Sequence, residues 1–138
     1  MKISKKIKLF VLKRANFICE YCLIPASHSP QPFNGEHITP QSKDGSDDMD
    51  NLASSCGGCN SHKYNKTHAP DPFDGKMVAL FHPRQMQWYQ HFTWSSDCTE
   101  VIGLTDTGRA TVKTLHLNRI GLKNLRKLLL KEGLHPPK

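Results

Sequence analysis

Two C-x-x-C pairs, Cys19/Cys22 and Cys56/Cys59, constrain what this chain can fold into more than any other feature of it. A C-x-x-C turn curls the backbone so that both thiolates reach one ion, and two such turns complete a tetrahedron with no open position. The four cysteines therefore predict a closed, structural metal site, with zinc as the ion that suits four thiolates. Such a clamp pins an N-terminal helix to the segment after Cys56. It supplements the modest core available to 138 residues. Five cysteines are an odd number, which speaks against a disulfide framework, and Cys98 is left as a free thiol with no assigned role. A redox protein built on the same pairs is the competing reading, and it predicts no stoichiometric zinc.

The stretch around the pairs alternates short ordered pieces with turns. Apolar residues Ile7, Phe10 and Val11 recur at near-helical spacing between Lys5 and Asn16, opposite a lysine-rich face. This segment has lysines before an apolar run, but Lys8, Lys13 and Arg14 interrupt it, so an amphipathic helix of an intracellular, cytoplasmic protein is expected in place of a leader peptide. No apolar run reaches roughly 18 residues, so no membrane span is expected. The prolines from Pro25 to Pro32 exclude a helix there. A short strand is predicted over 33–38, a solvated polar loop over 41–50, a second strand over 52–55, and a helix from Gly57 to about Lys66.

Asp71-Pro72-Phe73-Asp74-Gly75 is a turn cluster and the natural joint of the chain. It divides a core over residues 1–70 from an extension over 71–138, packed together as one compact unit. In the extension, helices are predicted over 84–92 and 109–117, with a strand over 101–104. Trp88, His91, Phe92 and Trp94 read as core aromatics. Asn118 is the expected N-cap of a last helix with Ile120, Leu122, Leu125, Leu128 and Leu129 as its apolar stripe.

Between the cysteine pairs lie Gly35-Glu36-His37-Ile38-Thr39-Pro40 and Asp50-Asn51-Leu52, and Cys59-Asn60-Ser61-His62-Lys63 closes the series. Together these resemble the HNH endonuclease family, whose ββα-metal fold has the same strand–loop–strand–helix order. The resemblance spans Phe17 to Thr67 and rests on E-H-I-x-P, D-N-L and C-x-x-C-N-x-x-K at matching intervals. It implies an α+β protein with a ββα-metal core, a four-cysteine structural zinc and a helical C-terminal extension. The stretch from F-H-P-R-Q to T-G-R-A-T is similar to an extension found in small stand-alone bacterial members.

The implied activity is metal-dependent DNA hydrolysis leaving a 3′-hydroxyl and a 5′-phosphate. His37 matches the family's general base, Glu36 the acidic metal ligand and Asn60 the second ligand. Asn51 matches the middle asparagine, which steadies the loop and the histidine. The chemistry suits these residue types: a histidine near neutrality can take a proton from water, and a hard divalent ion needs few protein oxygens. Glu36 stands where aspartate is common, and Asn60 where histidine is common, which points to Mg²⁺ or Mn²⁺ as the catalytic ion.

A formal charge of +7 agrees with a DNA partner. Lys63, one turn from Asn60, is a candidate phosphate contact or a solvated lysine. Arg109 and Lys123, with Arg119, Arg126 and Lys127, form either a phosphate-facing surface or a solvated face. His62 should point away from Asn60, and His68 carries no predicted role. The alternative function is a zinc-stabilised nucleic-acid-binding module without cleavage, and both monomer and homodimer remain open.

Overall fold

The protein is described by a computed structural model covering residues 3–138. Helix α1 spans Lys5–Arg14, and the Ser4 side chain caps it by accepting the Ile7 N–H. Val11 buries into the core, while Leu9 and Phe10 stay exposed. The chain then turns through the first cysteine pair, where the Cys19 N–H donates to the Ile24 carbonyl and Leu23 takes a left-handed conformation.

Strands β1 (Asn34–His37) and β2 (Leu52–Ser55) pair antiparallel in unbroken register, Asn34 opposite Ser55 and His37 opposite Leu52. Helix α2 (Gly57–Lys63) follows directly, capped by the Cys56 side chain, which accepts the Cys59 N–H. The expected order of strand, loop, strand and helix is thus present, with the helix ending three residues earlier than its predicted limit. Arg14 of α1 fastens the unit by donating to the Leu52 and Met49 carbonyls.

The 71–75 turn is the bend of a hairpin between β3 (His68–Pro70) and β4 (Met77–Ala79). A short helix α3 (Trp88–His91) leads into β5 (Phe92–Trp94), which pairs with β6 (Val101–Gly103). The helix predicted over 84–92 is therefore confined to one turn. His82 and Pro83 open a separate tight turn closed by the Met86 N–H, and Phe92 enters a strand.

Helix α4 spans Asp106–Thr114, starting earlier than expected because Thr105 caps it through the Gly108 N–H. Helix α5 spans Ile120–Lys131 and buries Leu122, Arg126 and Leu129; Ile120 and Leu128, assigned to the stripe, lie exposed. Asn118 does not cap this helix. Its side chain accepts the Val101 N–H and donates to the Val101 carbonyl, filling the open edge of β6. Among the described residues no helix is long and apolar enough to cross a membrane.

The core joins both halves of the chain. Phe81, Phe92 and Leu117 pack in one buried cluster with the cysteines, Tyr21 and Phe33. Trp88 reaches across to donate its indole N–H to the Tyr21 carbonyl at 3.0 Å. Trp88, Phe92 and Trp94 form a ring cluster with centroids 4.9 and 5.1 Å apart along Trp88–Phe92 and Trp88–Trp94.

Candidate functional site

Cys19, Cys22, Cys56 and Cys59 are all buried, and their sulfurs lie within 4.8 Å of one another. Zinc–sulfur bonds of about 2.3 Å imply a tetrahedron with edges of about 3.8 Å. The Cys22 and Cys56 sulfurs are 3.7 Å apart, so the donor set fits such an ion with little adjustment. The Cys22 N–H points at the Cys19 sulfur and the Cys59 N–H at the Cys56 sulfur, at 3.5 and 3.4 Å. Both bonds favour the thiolate form that a metal requires. Hydrogen bonds from Cys19, Cys22 and Cys59 pull the Cys56 thiol below its ordinary range, while Cys22, chiefly by burial, and Cys59, chiefly by the Cys19 hydrogen bond, are pushed above theirs.

Two arginines of the C-terminal half complete this centre, and neither role was legible in the sequence. Arg119 donates to the Cys56 sulfur at 3.5 Å and to the Cys59 sulfur at 3.7 Å. Arg126 is fully buried, donates to the Thr99 carbonyl at 2.9 Å and reaches the Cys22 carbonyl at 3.5 Å. Four thiolates around a divalent ion leave two excess negative charges, and buried charge is costly unless compensated. Two guanidinium groups beside the cluster supply that compensation. Arg126, being fully buried, cannot belong to a phosphate-facing surface, and Arg119 is half-buried against the sulfurs.

Gly58 has a specific reason to be glycine. A Cβ there would collide with the Arg119 guanidinium, whereas a Cβ at Gly57 would meet nothing within 4 Å. Gly58→Ala is expected to displace Arg119 from the sulfurs and speed zinc release to a chelator by roughly tenfold, since a hydrogen bond to a charged group is worth about 1.5–3 kcal/mol. Gly57→Ala should release zinc at the parental rate. Colorimetric zinc release measured on both variants checks the contrast.

A cavity of about 520 Å³ opens beside the β1–β2–α2 unit, and Glu36, His37, Asn60 and Tyr64 line it with Lys8 and Gln41. Three of the residues singled out from the sequence thus meet in one place. Adjacent strand residues point to opposite faces, and no bulge interrupts β1. Glu36 accordingly faces inward against α2, while His37 stands at the more open side. Its Nε2 lies 2.6 Å from Asp47 Oδ1, and the Gln41 amide also donates to that oxygen. Asp47 belongs to the 41–50 loop, which is exposed as expected at every residue but Gly45 and yet sets this one carboxylate against the histidine.

Asn51 is the reason the loop can do so. Its side-chain oxygen accepts the Thr39 N–H at 2.8 Å, and its amide donates to the Thr39 and Ser46 carbonyls at 2.9 and 2.7 Å. One buried amide therefore ties together the chain after β1 and the loop that carries Asp47.

Glu36 is 6% exposed, and its Oε2 is buried with no hydrogen-bond partner among the described residues. Burial pushes its carboxyl above the ordinary glutamate value, and Lys63 opposes that shift. Lys63 is itself only 1% exposed. Its Nζ donates to the Ile38 carbonyl at 2.7 Å and lies 3.5 Å from Glu36 Oε1. Neither the phosphate contact nor the solvated lysine describes it, because the short α2 turns this side chain into the core. The Asn60 amide makes no hydrogen bond among the described residues, and it lines the same cavity as the Glu36 carboxylate, so that an amide oxygen and a carboxylate oxygen come to one place. That oxygen pair fits a hard divalent ion.

Lys63→Met is expected to cost about 3–5 kcal/mol, the penalty for stranding one partner of a buried ion pair. Thermal or urea unfolding measures it. The sign with pH follows from the raised carboxyl. Folded Glu36 holds its proton to higher pH than the unfolded chain does, so its contribution is complete below the unfolded value and lost as pH rises through the folded one. Without added Mg²⁺, stability should fall across that window, and Glu36→Gln should flatten the fall.

The other candidates lie elsewhere. Arg109 pairs with the buried Asp71 at 2.7 Å, and Lys123 pairs with Glu100 at 3.2 Å. Neither lines the Glu36 cavity. His62 points away from it, as expected, and stacks on His116 with centroids 4.4 Å apart. The exposed His68 takes a hydrogen bond with Thr67.

Tyr64 escaped the sequence reading altogether. It closes α2 by donating its N–H to the Asn60 carbonyl, at φ 52° and ψ −117°. This is a conformation that glycine takes freely, and for a bulky residue it costs about 1–3 kcal/mol. No composition signal marks a strained tyrosine.

Residues 19–66 match the family model described as HNH endonuclease. Nothing among curated proteins or solved structures matches the chain. The matched stretch holds both cysteine pairs, β1, β2, α2 and the residues of the cavity, and its α+β arrangement is that of a ββα-metal core with a four-cysteine site. The likeness to the HNH endonuclease family thus rests on residues 19–66, about a third of the chain, the stretch that carries both cysteine pairs and the cavity residues.

Proposed function

We propose that the protein is a DNA endonuclease that uses His37 as general base and one divalent ion, Mg²⁺ or Mn²⁺, beside a structural zinc. The observation that carries this reading is the meeting of Glu36, His37 and Asn60 in one cavity within the matched stretch. Glu36 and Asn60 would hold the ion through a carboxylate and an amide oxygen. When bound, it would supply positive charge for the phosphoryl group and the leaving oxygen.

The remaining work falls to side chains. In the tautomer that carries its proton on Nε2, His37 donates to Asp47 Oδ1. His37 Nδ1 then keeps its lone pair, and it makes no hydrogen bond among the described residues. It can take a proton from a water molecule as that water attacks phosphorus, and Asp47 stabilises the resulting imidazolium. Asn51 fixes the loop, so its role is to position Asp47 and the histidine.

The test is nicking of a supercoiled plasmid with Mg²⁺ or Mn²⁺, with a chelator added only to the control. Conversion to open-circular or linear DNA that depends on the added ion supports the reading. A zinc-stabilised binding module with an idle site is the second reading, and the Glu36–Lys63 pair favours it, since Lys63 competes for the carboxylate. It predicts DNA binding with no cleavage at any divalent-ion concentration.

A further inference from the structure

Tyr64 is unusual in three independent ways. Its backbone takes a glycine-like conformation, its side chain is 74% exposed, and it lines the cavity that holds Glu36, His37 and Asn60. Exposed aromatic rings are ordinary, and so is strain in a buried, well-anchored residue. A strained residue whose ring is mostly exposed is different, because glycine would serve the backbone better at little loss of burial. Among the described residues the Tyr64 ring makes no hydrogen bond and no ring contact. The strain is sustained from below: the Tyr64 N–H bonds to Asn60, and Lys63, the residue before it, is anchored in the core. Such outliers concentrate where a side chain must be aimed at a ligand.

The ring's surroundings indicate the ligand. Lys8 of α1, half-buried and without an ion pair among the described residues, lines the same cavity, as does Asn60. A cation suits a phosphate, and a free aromatic face lining the same cavity suits a flat apolar ring joined to that phosphate. We propose that Tyr64 is a nucleobase-stacking platform at the rim of the cavity, receiving the base beside the phosphate placed against Glu36, His37 and Asn60. The proposal rests on the nucleic-acid reading above and names the subsite that reading lacks. A base can reach the ring only if it leaves its own stack, so single-stranded or locally opened nucleic acid is the form that binds there.

The experiment measures binding on the full-length, zinc-loaded chain carrying His37→Ala, so that cleavage does not intervene. Fluorescence anisotropy is read with a thymidine oligomer and with an abasic oligomer of equal length. Tyr64→Ala is expected to weaken the thymidine oligomer about tenfold or more, the loss typical of one base–aromatic stack, and to leave the abasic oligomer unchanged. The salt dependence of binding should keep its slope, because no phosphate contact is removed. Tyr64→Phe should bind like the parent, and Tyr64→Gly should bind like Tyr64→Ala while melting a few degrees higher.

Equal losses on both oligomers, or no loss on either, would overturn the proposal. So would loss of binding in Tyr64→Phe, which would assign the effect to the hydroxyl. Plasmid cleavage by the unaltered chain is scored separately. Absent cleavage with a base-dependent Tyr64 effect removes the nuclease reading and keeps the subsite. Cleavage without that effect does the reverse, and absence of any binding removes both.

Discussion

His37→Ala is expected to reduce plasmid cleavage to near background, a loss of about 10²–10⁴-fold, which is the usual contribution of a positioned general base. Zinc content and DNA affinity should stay close to those of the parent. The separation is expected from where the side chain sits. His37 lies at the open side of β1, bonded to Asp47 on a surface loop, and it takes no part in the cysteine cluster or the core. Cutting back the imidazole removes the proton acceptor and leaves the Asn51 clamp in place. Cleavage rates, with metal analysis and a binding isotherm on the same preparation, decide the matter. Near-parental cleavage by the variant would reject His37 as the base.

The second large effect is structural. Cys59→Ser should abolish stoichiometric zinc binding and unfold much of the chain at ordinary temperature, since a structural zinc site in a small domain is worth on the order of 10 kcal/mol. Cys59 is fully buried at the start of α2, in one cluster with Tyr21, Ile24, Phe92 and Leu122. Losing its ligation also removes one of the two sulfurs to which the Arg119 guanidinium donates. Circular dichroism and zinc analysis of Cys59→Ser, beside the parental chain treated with a strong chelator, read the effect. A Cys98→Ser variant, outside the cluster, should retain its zinc. A stable, zinc-free fold would favour the redox reading of the C-x-x-C pairs.

The local parts of the site were legible before the fold was known because their signals are local. Two thiolates three residues apart bind one ion whatever surrounds them, and the β1–β2–α2 order follows from turn residues and short apolar runs. Glu36, His37 and Asn60 could be named from motif spacing, and they do line one cavity. The C-terminal half yielded less. There, Asn118 looked like a helix cap and became the partner of a strand edge, since an unpaired strand N–H and carbonyl outcompete a helix start for one amide.

What the sequence alone determined is therefore the metal-binding chemistry and the strand–strand–helix order of residues 19–66. Only the tertiary structure decided which charges serve that chemistry. Lys63 went to the core to face Glu36, Arg119 and Arg126 went to the cysteine cluster, and Asp47 came back from its loop to His37. Residue type gives a side chain's charge, but its role is set by what the folded chain buries beside it. Those pairings join residues far apart in the chain: Arg119 to Cys59, and Arg126 to Cys22. No local pattern encodes a contact across such a distance, because it exists only once desolvation of a buried charge makes an opposite or hydrogen-bonding partner necessary.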